Sequence, residues 1–256
     1  MNDNAAVLTE RRDRVLLITI NRPDQRNAVN AEVAEGIASA LDELDDDQAL
    51  SVGVLTGAGK GFSAGMDLKA FVAGQRPWVR DRGFAGIVQR AAAKPLIAAV
   101  EGFAVAGGLE IALACDLIVA SRGAKLGIPE VKRSLIATGG ALLRLPRTVP
   151  RNIATELALT GDTIDAERGY EVGLVNRLAE PGEALTVALE LAEAIAANGP
   201  LALAGTKRIM IESADWPDSE FFERQNEISA PVYASEDARE GATAFSEKRA
   251  PQWKGR

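Results

Sequence analysis

The chain has 256 residues and a formal net charge of −7, which argues against nucleic acid or an anionic membrane surface as its main partner. Hydrophobic residues make up 47% and charged residues 25%, enough for a sizeable core, and the length fits one α/β unit with a helical appendage. Histidine is absent, which excludes Ser-His-Asp and Cys-His mechanisms and any histidine-ligated metal.

The lone cysteine, Cys115, ends the apolar run Ile111-Ala112-Leu113-Ala114 and reads as a buried small hydrophobe, since burial raises a thiol's pKa and silences it. One cysteine allows no internal disulfide, which suits the cytoplasm. Met1-Asn2-Asp3-Asn4 carries neither a basic nor an apolar signal region, and Glu110 interrupts the longest apolar stretch, so neither an export signal nor a membrane span is expected.

In chain order, Val15 to Ile20 reads as a buried strand closed by the turn Asn21-Arg22-Pro23-Asp24. A helix follows with Asn30 as N-cap, its apolar face set by Val33, Ile37, Ala40, Leu41 and Leu44, until Asp45-Asp46-Asp47 breaks it as a solvated end. Further strands are expected at Val52 to Thr56, Ile97 to Val100 and Leu117 to Ala120. Strands alternating with helices imply a mostly parallel sheet with its connections on one side. Beyond about residue 140 the pattern turns helical, with a stripe of Leu185, Leu189, Ala192 and Ile195 and a stop at Gly199-Pro200. The expected division is a core over 1–197 and a helical region over 198–256, ending in the basic Lys248, Arg249, Lys254 and Arg256.

Two glycine-rich stretches carry the chemistry. Gly57-Ala58-Gly59-Lys60-Gly61 is no phosphate-binding P-loop, because Gly61 stands where a Ser or Thr must reach magnesium; nor is it a dinucleotide fingerprint, because Phe62 replaces the third glycine. The residues after it, Phe62-Ser63-Ala64-Gly65-Met66-Asp67-Leu68-Lys69, let a ligand approach the main chain, although a tight turn without a ligand explains them equally well. The second stretch, Glu101 to Glu110, runs from a strand into an apolar helix, so N–H groups near Gly107 sit at a helix N-terminus aimed at negative charge. Glu110, one turn on, is an expensive carboxylate in apolar surroundings, and desolvation pushes its pKa toward general-base range; the bland reading is a cap or an arginine pair. Glu130, after Pro129, is a second isolated acid that alone reads as a first-turn helix carboxylate.

Together these segments resemble the crotonase (enoyl-CoA hydratase/isomerase) superfamily in order and approximate spacing. The matching runs are Ile20 to Pro23 with Arg26-Asn27-Ala28, Phe62 to Lys69, Ala106 to Glu110 with Cys115-Asp116, and Gly127 to Glu130 with Gly139-Gly140; the tail Ala244 to Arg249 is similar too. The resemblance implies an α/β spiral of repeated ββα units with a C-terminal helical trimerisation region. It also implies an acyl-CoA or enoyl-CoA thioester as substrate, a homotrimer or dimer of trimers, and no cofactor beyond the coenzyme A moiety.

By the same resemblance, the thioester oxygen lies between the N–H groups of Met66 and Gly107, in the oxyanion hole of an enolate. Arg26, Ala64, Gly65, Met66, Asp67, Leu68, Gly107 and Lys248 line the coenzyme A, with Ala64 toward the adenine and Lys248 and Arg26 toward phosphates. Glu110 and Glu130 match the paired glutamates of hydratases, which add water across a trans-2-enoyl-CoA; isomerases of the family manage with the acid matching Glu130. The implied activity is therefore that of an enoyl-CoA hydratase, with an isomerase, a lyase or dehydratase, or a silent acyl-CoA binder as alternatives. Ile136 to Gly140 replaces the proline-glycine run of many hydratases. Residues 71 to 93, with Trp78, Arg80 and Arg82, match no pattern, and Trp78 reads first as a packing residue.

Overall fold

The computed structural model describes residues 5–256; Met1 to Asn4, read above as lacking an export signal, lie outside the described residues. The chain opens with β1 (Val7–Arg12), which pairs antiparallel with β2 (Val15–Ile20). α1 (Ala31–Asp46) follows, and its Asn30 cap accepts the Val33 N–H at 3.0 Å, a bond worth about 1 kcal/mol. β3 (Val52–Gly57) leads to the short α2 (Leu68–Val72), then to a small hairpin of β4 (Trp78–Val79) and β5 (Gly83–Phe84). Next come β6 (Leu96–Val100), β7 (Phe103–Val105), α3 (Gly107–Ala114), β8 (Leu117–Ser121) and β9 (Lys125–Gly127). α4 (Ala141–Thr148), α5 (Arg151–Thr160), β10 (Thr163–Asp165), α6 (Ala166–Glu171) and β11 (Arg177–Ala179) complete the core, and α7 (Ala184–Ala196) covers it. The tail is α8 (Pro200–Glu212), α9 (Phe221–Tyr233) and α10 (Glu236–Glu247).

The main sheet runs β1-β2-β3-β6-β8-β11, parallel from β2 onward. Alternation along each strand sends its side chains to two separate cores. Leu16, Ile18, Ile20, Leu55, Ala98 and Ile118 face α1, α3, α4 and α5. Val15, Leu17, Val54, Ile97 and Val119 face α7. The helices that link one strand to the next thus share one face, as the alternation predicts, while the opposite face is closed by a helix that comes after the last strand.

Two expectations shift. On α7 the fully buried row is Ala184, Ala188, Ala192 and Ala196, one position off the expected leucine stripe; Leu185, Leu189 and Ile195 pack at its margins. Alanine lets the helix sit close to the sheet, so the smaller residues take the central row. The Asp45-Asp46-Asp47 run ends α1, yet Asp45 is no idle solvated acid: it accepts the N–H groups of Ala93 (2.9 Å) and Lys94 (3.2 Å). The Lys94 ammonium in turn donates to the carbonyls of Leu44, in the last turn of α1, and of Asp47, its C-cap, where the helix dipole is negative.

In a second sheet, β10-β9-β7, β7 leads into the second glycine loop and bridges at Ala104 to Ser63 of the first, the loop that leaves β3 of the main sheet. β1, β7, β10, β11 and the β4–β5 hairpin are not expected from the sequence: β1 is largely exposed and polar, and strands of two or three residues are too short to show a period. The tail bends away at Gly199-Pro200, with α8 at 106° to α7. Lys207 of α8 anchors it by donating to Asp116 (2.6 Å) and to the Lys94 carbonyl (2.9 Å). Among the described residues, no single helix is long and apolar enough to cross a membrane.

Candidate active site

Two loops from different parts of the chain meet at Gly65 and Gly107. Asn27, fully buried, holds the first loop by donating to the carbonyls of Ala58 (2.9 Å) and Gly61 (2.7 Å). The Ser63 hydroxyl donates to the Asn27 carbonyl and accepts the Gly65 N–H, so that amide is already used. The Gly65 carbonyl accepts the Val29 N–H at 2.8 Å. In a trans peptide the next N–H points the opposite way. The Met66 N–H is therefore turned away from Val29, and it has no acceptor among the described residues.

The second loop repeats this logic. The Ala106 carbonyl accepts the N–H groups of Leu109 (2.9 Å) and Glu110 (3.2 Å), so the Gly107 N–H on the same peptide points out of the α3 N-terminus. It too lacks an acceptor among the described residues. Ala106 adopts φ 53°, a strained value for alanine that sets this orientation. The loops are locked together: a Cβ on Gly65, which has φ +84°, would lie 2.7 Å from the Gly107 nitrogen. A Cβ on Gly107 would strike the Phe84 ring of the hairpin, itself packed edge-on against Trp78 with centroids 5.5 Å apart. Trp78, 45% exposed, thus packs one edge against Phe84 and leaves the rest of its ring open.

Glu110 is 4% exposed. One carboxylate oxygen accepts the Ala141 N–H at 3.2 Å, and the Gly139 N–H also supports it. Burial pushes its pKa up; the nearby Glu130 charge adds to the rise, while those two N–H groups and Arg144 oppose it. Glu130 lies on a 3₁₀ turn, Pro129–Arg133, and its Oε2 is buried without a hydrogen-bond partner among the described residues. Burial raises its pKa as well, against its own N–H and the exposed Arg133. The fold thus sets Glu110 one turn after Gly107 on α3, where the Glu130 charge acts on it, and burial biases both carboxyls toward the neutral acid. Such a site can stabilise an oxyanion and exchange two protons.

The remaining candidates spread outward. Ala64 donates to the Arg26 carbonyl, and the Arg26 guanidinium lies over the Phe103 ring at 4.7 Å. Asp67 caps α2 and pairs with Arg22 at 3.0 Å, and Leu68 is exposed at the start of α2. Lys248 is the C-cap of α10, and among the described residues no hydrogen bond or ion pair joins its side chain to either glycine loop. Cys115 is partly buried with its thiol pKa pushed up, as expected of an inert thiol. Sequence reasoning missed Phe84, which shapes the second loop, and Arg144, which stands near Glu110. The only signal for Arg144 was a charge inside the apolar run Ala141-Leu142-Leu143-Arg144-Leu145.

Comparison with known proteins identifies the family. The model of the enoyl-CoA hydratase/isomerase family matches residues 10–256. The chain is similar to enoyl-CoA hydratase EchA19 of Mycobacterium tuberculosis, at 45% identity over 97% of this chain and 96% of the relative. It is also similar to carnitinyl-CoA dehydratase of Salmonella typhi, at 40% identity over 94% and 95%. Among solved structures, an enoyl-CoA hydratase from M. tuberculosis superimposes with TM-score 0.97 at 58% identity, covering 99% of this chain and all of that one. A carnitinyl-CoA hydratase from Mycobacterium avium superimposes with TM-score 0.79 at 43% identity over 99% and 100%. With its α/β spiral and helical C-terminal region, the chain belongs to the enoyl-CoA hydratase/isomerase (crotonase) family.

Proposed function

We propose that this protein is an enoyl-CoA hydratase that adds water across the 2,3 double bond of a trans-2-enoyl-CoA. The observation that supports the reading is the meeting of two loops at Gly65 and Gly107, which leaves the Met66 and Gly107 N–H groups without acceptors among the described residues, one turn before the buried Glu110. The thioester oxygen accepts both N–H groups. As water attacks Cβ, the Cα=Cβ electrons move toward the carbonyl and negative charge gathers on that oxygen, where losing one such donor costs about 3 kcal/mol. Ionised Glu110 takes a proton from the attacking water, and protonated Glu130 delivers one to Cα. Glu110 ends neutral and Glu130 ionised, and exchange with solvent restores the pair. Residues 64 to 68, with Arg26 and Lys248, line the coenzyme A, and no further cofactor takes part.

The carnitinyl-CoA relatives favour a second reading. The same two acids run in reverse would dehydrate a 3-hydroxyacyl-CoA bearing a polar acyl group. The chain also works as a trimer or a dimer of trimers, a reading supported by the large apolar side chains that α8 to α10 expose: Met210, Phe222, Tyr233 and Phe245. Light scattering should give three or six times the 27.0 kDa chain mass.

The enzyme assignment is tested by mixing the protein with crotonyl-CoA and following the enoyl thioester absorbance. Its loss, with 3-hydroxybutyryl-CoA as product, is the expected result. Turnover of a 3-enoyl-CoA without hydration would make the protein an isomerase, and acyl-CoA binding without turnover would make it a carrier.

A further inference from the structure

Arg144 is a half-buried guanidinium whose hydrogen bonds all go to main-chain carbonyls. It donates to Val88 at 2.6 Å and to Gly139 at 3.5 Å, and among the described residues no carboxylate lies within ion-pairing distance of it. Burying such a cation is costly unless something nearby uses its charge. Three placements point to that use. Gly139 and Ala141, whose N–H groups hold the Glu110 carboxylate, flank Gly140, the N-cap of the helix that carries Arg144. A Cβ on Gly140, at φ +100°, would meet the Arg144 guanidinium, which lies over this residue. Val88 follows directly on the segment whose Phe84 ring packs on Gly107.

We propose that Arg144 is a positioning residue for Glu110: it clamps the Gly139–Ala141 turn to the Phe84–Val88 segment and places a fixed positive charge beside one of the two acids, so that Glu110 is the one that carries the negative charge. This rests on the hydratase reading above. The charged groups around Glu110 are few. Glu130 and the exposed Lys132 and Arg133 come from the 3₁₀ turn, Lys132 being paired with Asp162, and Arg144 and the exposed Arg147 come from α4. β7 and β8, which also pack on α3, bring no titratable side chain, and the Cys115 thiol near Arg144 is held neutral by burial. The two acids thus differ in their cations: Glu110 has the half-buried Arg144, Glu130 only the solvent-screened Arg133.

The test compares Arg144→Met and Arg144→Lys with the parent. Arg144→Met should lower kcat for crotonyl-CoA about tenfold with KM changed less than about threefold, and move the acid limb of the pH–rate profile upward, because the base is then harder to ionise. Arg144→Lys, which keeps the charge but loses the fork, should return the limb toward its original place while kcat stays low. Carbon-13 titration of the Glu110 carboxyl in Arg144→Met follows the same upward move without any turnover. A limb and a titration unmoved in Arg144→Met, or moved equally in Arg144→Lys, would overturn the assignment while leaving the hydratase reading intact. A parent protein that does not hydrate crotonyl-CoA would remove the hydratase reading, and the carboxyl titration would still decide the Arg144–Glu110 link.

Discussion

Gly65 and Gly107 touch main chain to main chain, so that any side chain on Gly65 would drive into the Gly107 amide. This close approach brings two loops into register, and positive φ at Gly65 reinforces the demand for glycine. Gly65→Ala should therefore separate the two N–H groups. The expected loss in kcat/KM for crotonyl-CoA is about 10²- to 10³-fold, the effect of losing one oxyanion donor. Steady-state kinetics check this, with circular dichroism to confirm that the variant is folded.

The two acids should be separable from binding. Glu110→Gln and Glu130→Gln keep size and hydrogen bonding while removing proton exchange. Each should lower kcat by about 10²- to 10⁴-fold and leave KM within about threefold. Normal turnover in both variants would remove the acid–base assignment.

Glu110 also predicts a pH-dependent stability. Its folded pKa is raised by burial, so the folded state binds its proton more tightly than the unfolded chain does. The ionised form is thus a burden on the fold above the folded pKa, and the burden fades as pH falls to the ordinary carboxylate range near about 4.3. Glu110→Gln should raise Tm at pH 7 to 8 and give no gain near pH 4. Thermal melts across that range check the sign; a lower Tm at neutral pH would mean that Glu110 is stabilising.

How much of the molecule was legible in the sequence depended on element length and on burial, since the six-residue but largely exposed β1 carries no apolar run. The strands at Val15–Ile20, Val52–Gly57, Leu96–Val100 and Leu117–Ser121 announce themselves as apolar runs, and Asn30 marks its helix by its own capping chemistry. The hairpin at Trp78–Phe84 has two residues per strand, and what fixes it is distant: buried Arg82 donates to Asp42 at 2.5 Å, 40 residues away. For the site, the paired glycines and Glu110 were readable because a carboxylate set into an apolar helix costs the fold stability unless a partner or a reaction uses it. That Glu130 comes near Glu110 is a tertiary fact no local spacing contains, and only the family resemblance suggested it. Arg144 was not readable because its partners are carbonyls, which every residue has.

The tail anchor should be costly to break. Lys207 and Asp116 form a largely buried pair, with Asp116 also accepting the Leu96 N–H at 2.7 Å. Lys207→Met leaves that carboxylate without its cation, and the loss should be about 3 kcal/mol, the low end for a broken buried pair. Denaturant unfolding checks the size. The loss should shrink as pH falls, because burial already raises the Asp116 pKa and an unpaired acid protonates more readily.

The most direct measurement is a crystal structure with a bound acyl-CoA thioester. The account predicts the thioester oxygen within about 2.7–3.1 Å of both the Met66 and Gly107 nitrogens, with the Glu110 and Glu130 carboxyls on either side of Cα and Cβ. A thioester oxygen that meets neither amide, or an acyl chain lying away from the two glutamates, would contradict it.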